Sequence, residues 1–252
     1  MARQQPLIER IADRRPLLDL LISDFGRFVD TFDATRQFSG PSVYFHVKAL
    51  RVLQSHDNAV DALADEAYFD YLYATLASWG LHRMGPGNTK LVEIAELRSS
   101  FQQQREHIER LQHLRIEDIS DSNVDEVTSL IWNVLMKLRV GVGETLLVAN
   151  SKALHHLLPQ LVPPIDRNYT LMFFVGRPYV YRGRDRDYFA ALFPLFREIA
   201  VRCRKDIERR INDPWIGMNT SFTKVIDNAI LGFVPLQDPS NSQKPGFTED
   251  SG

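Results

Sequence analysis

The chain has 252 residues, 44% apolar and 25% charged, and its 30 Lys plus Arg against 32 Asp plus Glu leave a net charge of -2. This is the balance of a folded globular protein, and it excludes a globally basic nucleic-acid protein while leaving room for a local basic patch. The length suits one large domain or two small lobes.

A single cysteine, Cys203, cannot close an internal disulfide, which fits a reducing compartment. No apolar run approaches the ~20 residues of a membrane span. Met1 to Arg15 carries four arginines with Glu9 and Asp13, and no signal-peptide core follows. A cytoplasmic location away from membranes is therefore expected.

The predicted elements are helices separated by Pro and Gly. Leu7 to Phe32 has helical apolar spacing, interrupted at Pro16. After the Phe38-Ser39-Gly40-Pro41 turn, Ser42 to Gln54 places Val43, Val47, Leu50 and Leu53 on one face. Asp65-Glu66 opens a helix that stops at Gly80. Arg83 to Thr89 reads as a loop, with Asn88 or Thr89 as cap for one helix over Lys90 to Leu114. Its second half, residues 102–113, is polar on most faces, so it is expected to project into solvent or against a protein partner. Ser122 or Asn123 caps the next helix, which ends at Gly141.

Asp185 to Ile211 reads as one long amphipathic helix whose stripe includes Phe189, Phe193, Phe196 and Cys203. Ser221 to Leu231 is the last helix. Tyr169 to Val175 and Pro178 to Tyr181 are strand-like but too short to anchor a sheet. The reading is an all-α fold, with one helical domain over 1–236 open to division into two lobes, and a disordered tail over 237–252.

Most chemical motifs are absent. Gly141-Val142-Gly143 lacks the third glycine and the preceding strand of a dinucleotide site. The Gly85 to Lys90 run lacks the Gly-Lys-Ser/Thr ending of a phosphate loop. There is no Gly-x-Ser-x-Gly elbow. Asp121 to Asp125 begins like a calcium loop, but Glu126 and Trp132 stand where Gly and Glu are required. The histidines show no metal-ligand spacing, and no metal or cofactor is expected. His155 and His156 are neighbours, so one is expected to face the core and the other solvent.

Two stretches remain. Gly176 to Arg210 holds ten basic residues against five acidic ones. Arg182, Arg184 and Arg186 lie close to Tyr179 and Tyr181. Arginines grip phosphate oxygens bidentately and tyrosines stack on unpaired bases, which points to nucleic acid. The alternative is a solvated face with internal ion pairs such as Arg204 with Glu208.

The second stretch is Asn150 to Leu171. Asn150 or Ser151 is placed to cap a helix of about two turns, Pro159 ends it, and Pro163-Pro164 holds an extended approach to Asp166. Asp166 reads first as the cap of the helix that follows.

A short helix with Lys152 near its start, a proline-bearing loop and then Asp166 resemble the second half of the helix-hairpin-helix DNA glycosylase superfamily. Gly141-Val142-Gly143 resembles that family's hairpin. The resemblance covers residues 141–171; the last of these glycines lies nine residues before Lys152, and Lys152 to Asp166 spans fourteen. It implies a base-excision enzyme acting on DNA, with Asp166 stabilising positive charge on the sugar and Lys152 forming a Schiff base. The other readings are nucleic-acid binding without chemistry and a helical interaction protein.

Overall fold

The computed structural model describes residues 5–35, 38–81, 90–143, 146–212 and 217–237. These residues form fourteen α-helices and no strand; one isolated antiparallel bridge joins Leu91 to Gly141. In chain order the helices are α1 Leu7–Asp13, α2 Arg15–Ser23, α3 Phe25–Thr35, α4 Pro41–Gln54, α5 Ala59–Ala62 and α6 Glu66–Leu76. Then come α7 Ile94–Gln102, α8 Arg105–Leu111, α9 Val124–Leu135, α10 Leu147–Leu157, α11 Met172–Val175, α12 Asp185–Arg202, α13 Arg204–Glu208 and α14 Phe222–Gln237. The expected tail lies outside the described residues apart from Gln237, which closes α14, as do the 83–89 loop and its caps Asn88 and Thr89.

Several boundaries follow from local chemistry. Pro16 sits in the first turn of α2, where its missing amide costs nothing. Asp65 caps α6, accepting from the amides of Ala67 and Tyr68 at 2.8 and 3.4 Å. Asn58 caps α5 in the same way. After α6 the chain makes a kinked turn, Ala77–Leu81, with Gly80 at φ +83°.

Other boundaries differ from the sequence expectation. The helix expected over Lys90 to Leu114 begins only at Ile94, because the Lys90 carbonyl and the Val92 amide are bonded to Val142 and Val140. It also breaks at Gln103 and Gln104. The break lets Leu97 and Phe101 bury on one side and Ile108 and Leu111 on the other. Residues 102–113 therefore lie on the domain rather than projecting. Gln102 and Arg105 donate to the Leu63 and Val60 carbonyls, and Gln112 accepts from the Val60 amide.

The long helix after Asp185 divides at Cys203, which is buried beside the Ile22 carbonyl. The strand-like run Tyr169 to Val175 is helical. Asp166 caps it, and the Leu171 amide returns to the Asp166 carbonyl at 2.9 Å.

One cluster of buried apolar side chains runs from Leu18 to Phe233. On α12, Phe189, Phe193, Phe196 and Ile199 are fully enclosed, as the stripe predicts. The central element is α14, where every residue from Phe222 to Phe233 is buried, as are Asn219 to Ser221 just before it. It crosses α3 so closely that a Cβ on Gly232 would lie 2.0 Å from the Phe28 carbonyl oxygen. Phe233 packs edge-on to Phe28 and Phe173, with ring centroids 4.7 and 5.1 Å away. No helix among the described residues is long and apolar enough to cross a membrane.

Candidate functional site

The site grows from α10. This helix starts at Leu147, earlier than Asn150 or Ser151 would set it, because another residue receives its first amides. The Asp185 carboxylate at the head of α12 accepts from the Leu146 and Leu147 amides, both at 2.9 Å. Asn150 and Ser151 then serve other partners. Asn150 Nδ2 donates to the Leu135 and Leu138 carbonyls at the end of α9, at 2.7 and 3.0 Å. Ser151 Oγ accepts from the Ile165 amide at 3.1 Å, tying the proline-bearing segment to the helix.

That tie decides where Asp166 goes. Lys152 Nζ donates to Asp166 Oδ2 at 2.8 Å. The other carboxylate oxygen, Oδ1, accepts from the Asn168 amide at 2.8 Å, so Asp166 is at once a helix cap and the partner of Lys152. The Asp166 amide donates to Thr170 Oγ1 at 3.0 Å. The Lys152 side chain is 11% exposed and that of Asp166 29%. Burial pushes the Asp166 carboxyl up, but the Lys152 charge and the hydrogen bonds outweigh it and hold the pKa below its ordinary value. The resting pair is therefore an ammonium and a carboxylate.

A second ion pair lies deeper. Lys224 Nζ donates to Asp227 Oδ2 at 2.6 Å, with side chains 1% and 7% exposed. The ammonium lies 5.4 to 5.9 Å from the ring centres of Phe32, Phe38 and Trp79. Cation–π attraction at a desolvated site is worth about 2 kcal/mol or more, which helps hold a charge so far from water. Burial is the largest influence on the Asp227 carboxyl and raises it, only partly opposed by Lys224. Tyr169, half-buried, stands within reach of both Asp166 and Asp227; burial and then the two carboxylates raise its phenol.

Beside these pairs is a chain of neutral imidazoles. His156 Nδ1 donates to the Lys152 carbonyl at 2.8 Å, which leaves Nε2 to accept from His46 Nδ1 at 3.0 Å. His155 Nδ1 donates to the Val162 carbonyl at 2.9 Å and to Thr223 Oγ1 at 3.1 Å. Both neighbouring histidines are thus enclosed, because α10 is covered on every side. Burial lowers all three, His156 to about 4, and His46 and His155 well below the usual imidazole value. His46 Nε2 and His155 Nε2 are buried without a partner. Trp79 packs on the same group, its ring 4.9 Å from His156 and 5.3 Å from His46.

The basic stretch divides in two. Its later arginines are committed to acids: Arg197 to Asp121, Arg202 to Glu198 and Asp19, Arg204 to Asp118 and Glu208, Arg209 to Asp206, and Arg210 to Asp30. Arg182, Arg184 and Arg186 are exposed, and Arg184 pairs locally with Asp187. Arg177 lies over the rings of Tyr179 and Tyr181, at 5.8 and 5.6 Å, and bonds the Tyr181 hydroxyl. Tyr179 remains 45% exposed. Asp185, buried at the first position of α12 between Arg184 and Arg186, fastens this stretch to the start of the helix that carries Lys152.

Nothing in the sequence pattern singles out Asp185, His46, Lys224 or Asp227, which the fold brings to the site. Among the described residues no group of three or more His, Cys, Asp or Glu side chains is arranged to hold a metal. An open depression between α3 and α13, lined by Phe25, Gly26, Arg27, Asp30 and Arg210, contains none of the cluster. The chain has no match among protein-family models, curated proteins or solved structures.

Proposed function

We propose that this chain acts on nucleic acid as a base-excision enzyme, with Lys152 and Asp166 as its reacting pair. The observation that carries the reading is the 2.8 Å contact between Lys152 Nζ and a carboxylate that is 29% exposed. An amine and a carboxylate in contact, one end open to solvent, are the two groups that glycosidic cleavage through a Schiff base needs.

The chemistry balances on these residues. Lys152 gives a proton to Asp166 and its neutral amine bonds to C1′ of the sugar as the C1′–N bond to the base breaks. The departing base takes up the proton held by Asp166. A proton then passes from the bound nitrogen to O4′ as the C1′–O4′ bond opens, leaving the protonated Schiff base. As the proton held by Asp166 passes to the departing base, the carboxylate that reforms stabilises the positive charge developing on the sugar. Arg182, Arg184 and Arg186 supply phosphate contacts on the loop and first turn of α12 that Asp185 ties to the Lys152 helix, and Tyr179 offers an open ring for stacking.

The test is base release and strand nicking on a panel of damaged duplexes, with borohydride trapping of the imine. The reading expects a covalent adduct at Lys152 that is lost in Lys152→Met. A chain that neither releases a base nor traps on any duplex contradicts it and leaves the cluster a structural one.

A further inference from the structure

We infer that Arg10, Arg14 and Arg177 form a phosphate-binding site at the end of α11, with the open ring of Tyr179 beside Arg177 to stack on an attached base. Arg10 lies on α1 and Arg14 directly after it, far in sequence from the basic stretch that starts at Gly176. The fold brings them to it. Arg10 Nη1 donates to the Val175 carbonyl at 3.5 Å, and Arg14 Nε donates to the Phe173 carbonyl. Both carbonyls belong to α11, which Gly176 ends and Arg177 follows. The Arg14 guanidinium lies against Gly176, with Nη1 3.2 Å from where a Cβ would stand. Arg177 is held by the rings of Tyr179 and Tyr181, 5.8 and 5.6 Å away, and by the Tyr181 hydroxyl.

What sets these three apart from their neighbours is the lack of a counterion. Arg15 pairs with Asp19 and Glu198, and Arg184 with Asp187. Among the described residues no acid pairs with Arg10, Arg14 or Arg177, although all three are half-buried. The acids of α1 do not serve them: Asp13 accepts from Gln5, and Glu9 is exposed. The carbonyl end of a helix amounts to roughly half a negative charge, and α11 has only four residues. Most of three full positive charges therefore stays uncompensated. Arg10 Nε is buried without a partner. Burial and then the Arg10 charge lower Arg14 from its ordinary value, as expected where like charges gather.

Half-buried cations gathered in this way cost stability that a bound anion restores. A phosphate group suits them best. It offers three or more oxygens and roughly two charges, where a carboxylate offers two oxygens and one charge. Tyr179 is 45% exposed, and its ring gives the base of a nucleotide a face to lie on. The inference goes beyond the proposed reaction, because a phosphate binds here whether or not Lys152 reacts.

The test follows the thermal melt of the full chain as inorganic phosphate is added at constant ionic strength. Oligonucleotides with and without a terminal phosphate then compete for the site. The parent is expected to gain melting temperature along a saturating curve. Arg177→Gln, which disturbs no carbonyl contact of α11, is expected to weaken the apparent affinity about tenfold or more, and Arg14→Gln likewise. If the arginines only fasten α1 to α11, the variants melt lower but respond to phosphate as the parent does, and the inference is overturned.

Competition by an oligonucleotide with two hydroxyl ends supports the inference and assigns the site to the strand backbone. Competition by the phosphorylated one alone supports it and assigns the site to a terminal phosphate. Competition by neither overturns it. A rise that stays linear in phosphate, the mark of general salt exclusion, overturns it as well. Saturable binding that is lost in the variants of a chain that excises no base supports it while removing the enzyme reading.

Discussion

Lys152 and Asp166 are fourteen positions apart in sequence and 2.8 Å apart in space, and the same carboxylate also caps the helix that follows it. The double duty changes what a conservative substitution does. Asn caps a helix about as well as Asp, so a pure cap would tolerate Asp166→Asn. Here the change also leaves the Lys152 ammonium with little water and no counterion. A loss of about 1–3 kcal/mol is expected, less than for a fully buried pair because Asp166 is partly exposed. Urea unfolding of the variant measures it.

The deeper pair follows harsher arithmetic. Lys224→Met or Asp227→Leu alone leaves one uncompensated buried charge, and each is expected to cost about 3–5 kcal/mol. The double variant replaces both with apolar side chains and is expected to cost far less than the sum of the two. A double-mutant cycle by denaturant unfolding checks this, and additive losses would contradict the pairing.

Much of the scaffold of the site is legible in the sequence, and the reasons are local. Pro159 and the Pro163-Pro164 pair cannot sit inside a helix, so the helix end and the extended approach to Asp166 announce themselves. Lys224 and Asp227 do not. On α14 they alternate with Phe222, Val225, Ile226 and Ile230 as the polar face of any surface helix would. Only tertiary packing turns that face onto other polar groups. The break at Gln103 and Gln104 carries no Pro or Gly to mark it, and the acceptor for the α10 amides comes from Asp185, far along the chain.

The three buried imidazoles make stability depend on pH. Each has a folded-state pKa below the unfolded value of about 6.5, so the unfolded chain takes up protons first as the pH falls. Stability is then complete above about pH 7 and declines toward pH 5 and below. His156, lowered to about 4, alone contributes a loss on the order of 3 kcal/mol once the pH is below that value. Unfolding midpoints measured across this range are expected to fall with acid. A flat profile between pH 7.5 and 5, taken in steps of about half a unit, would contradict the burial of these rings.

Gly232 tests the crossing of α14 with α3. A methyl group there meets the Phe28 carbonyl oxygen at 2.0 Å, and backbone cannot step aside as a flexible side chain does. Gly232→Ala is expected to destabilise by at least the 1–3 kcal/mol typical of overpacking, despite the helix propensity it gains. A thermal melt equal to that of the parent would contradict the close approach.

The exposed basic loop is expected to behave in the opposite way. Replacing Arg182, Arg184 and Arg186 with Ala leaves the core untouched, so the melt stays close to that of the parent. Oligonucleotide binding at low salt is expected to weaken. Its salt slope is expected to shrink by at most about three, roughly one for each arginine that no longer neutralises a phosphate. Equal binding by parent and triple variant would assign the nucleic-acid contacts elsewhere.

The central claim is that Lys152 and Asp166 react, and borohydride trapping on damaged duplexes measures it most directly. The parent is expected to form a covalent adduct located at Lys152 and to release the base. Lys152→Met is expected to form none, and Asp166→Asn to lose base release, with both variants retaining a cooperative melt. Absence of adduct and of base release in the parent, or trapping that persists in Lys152→Met, contradicts the account.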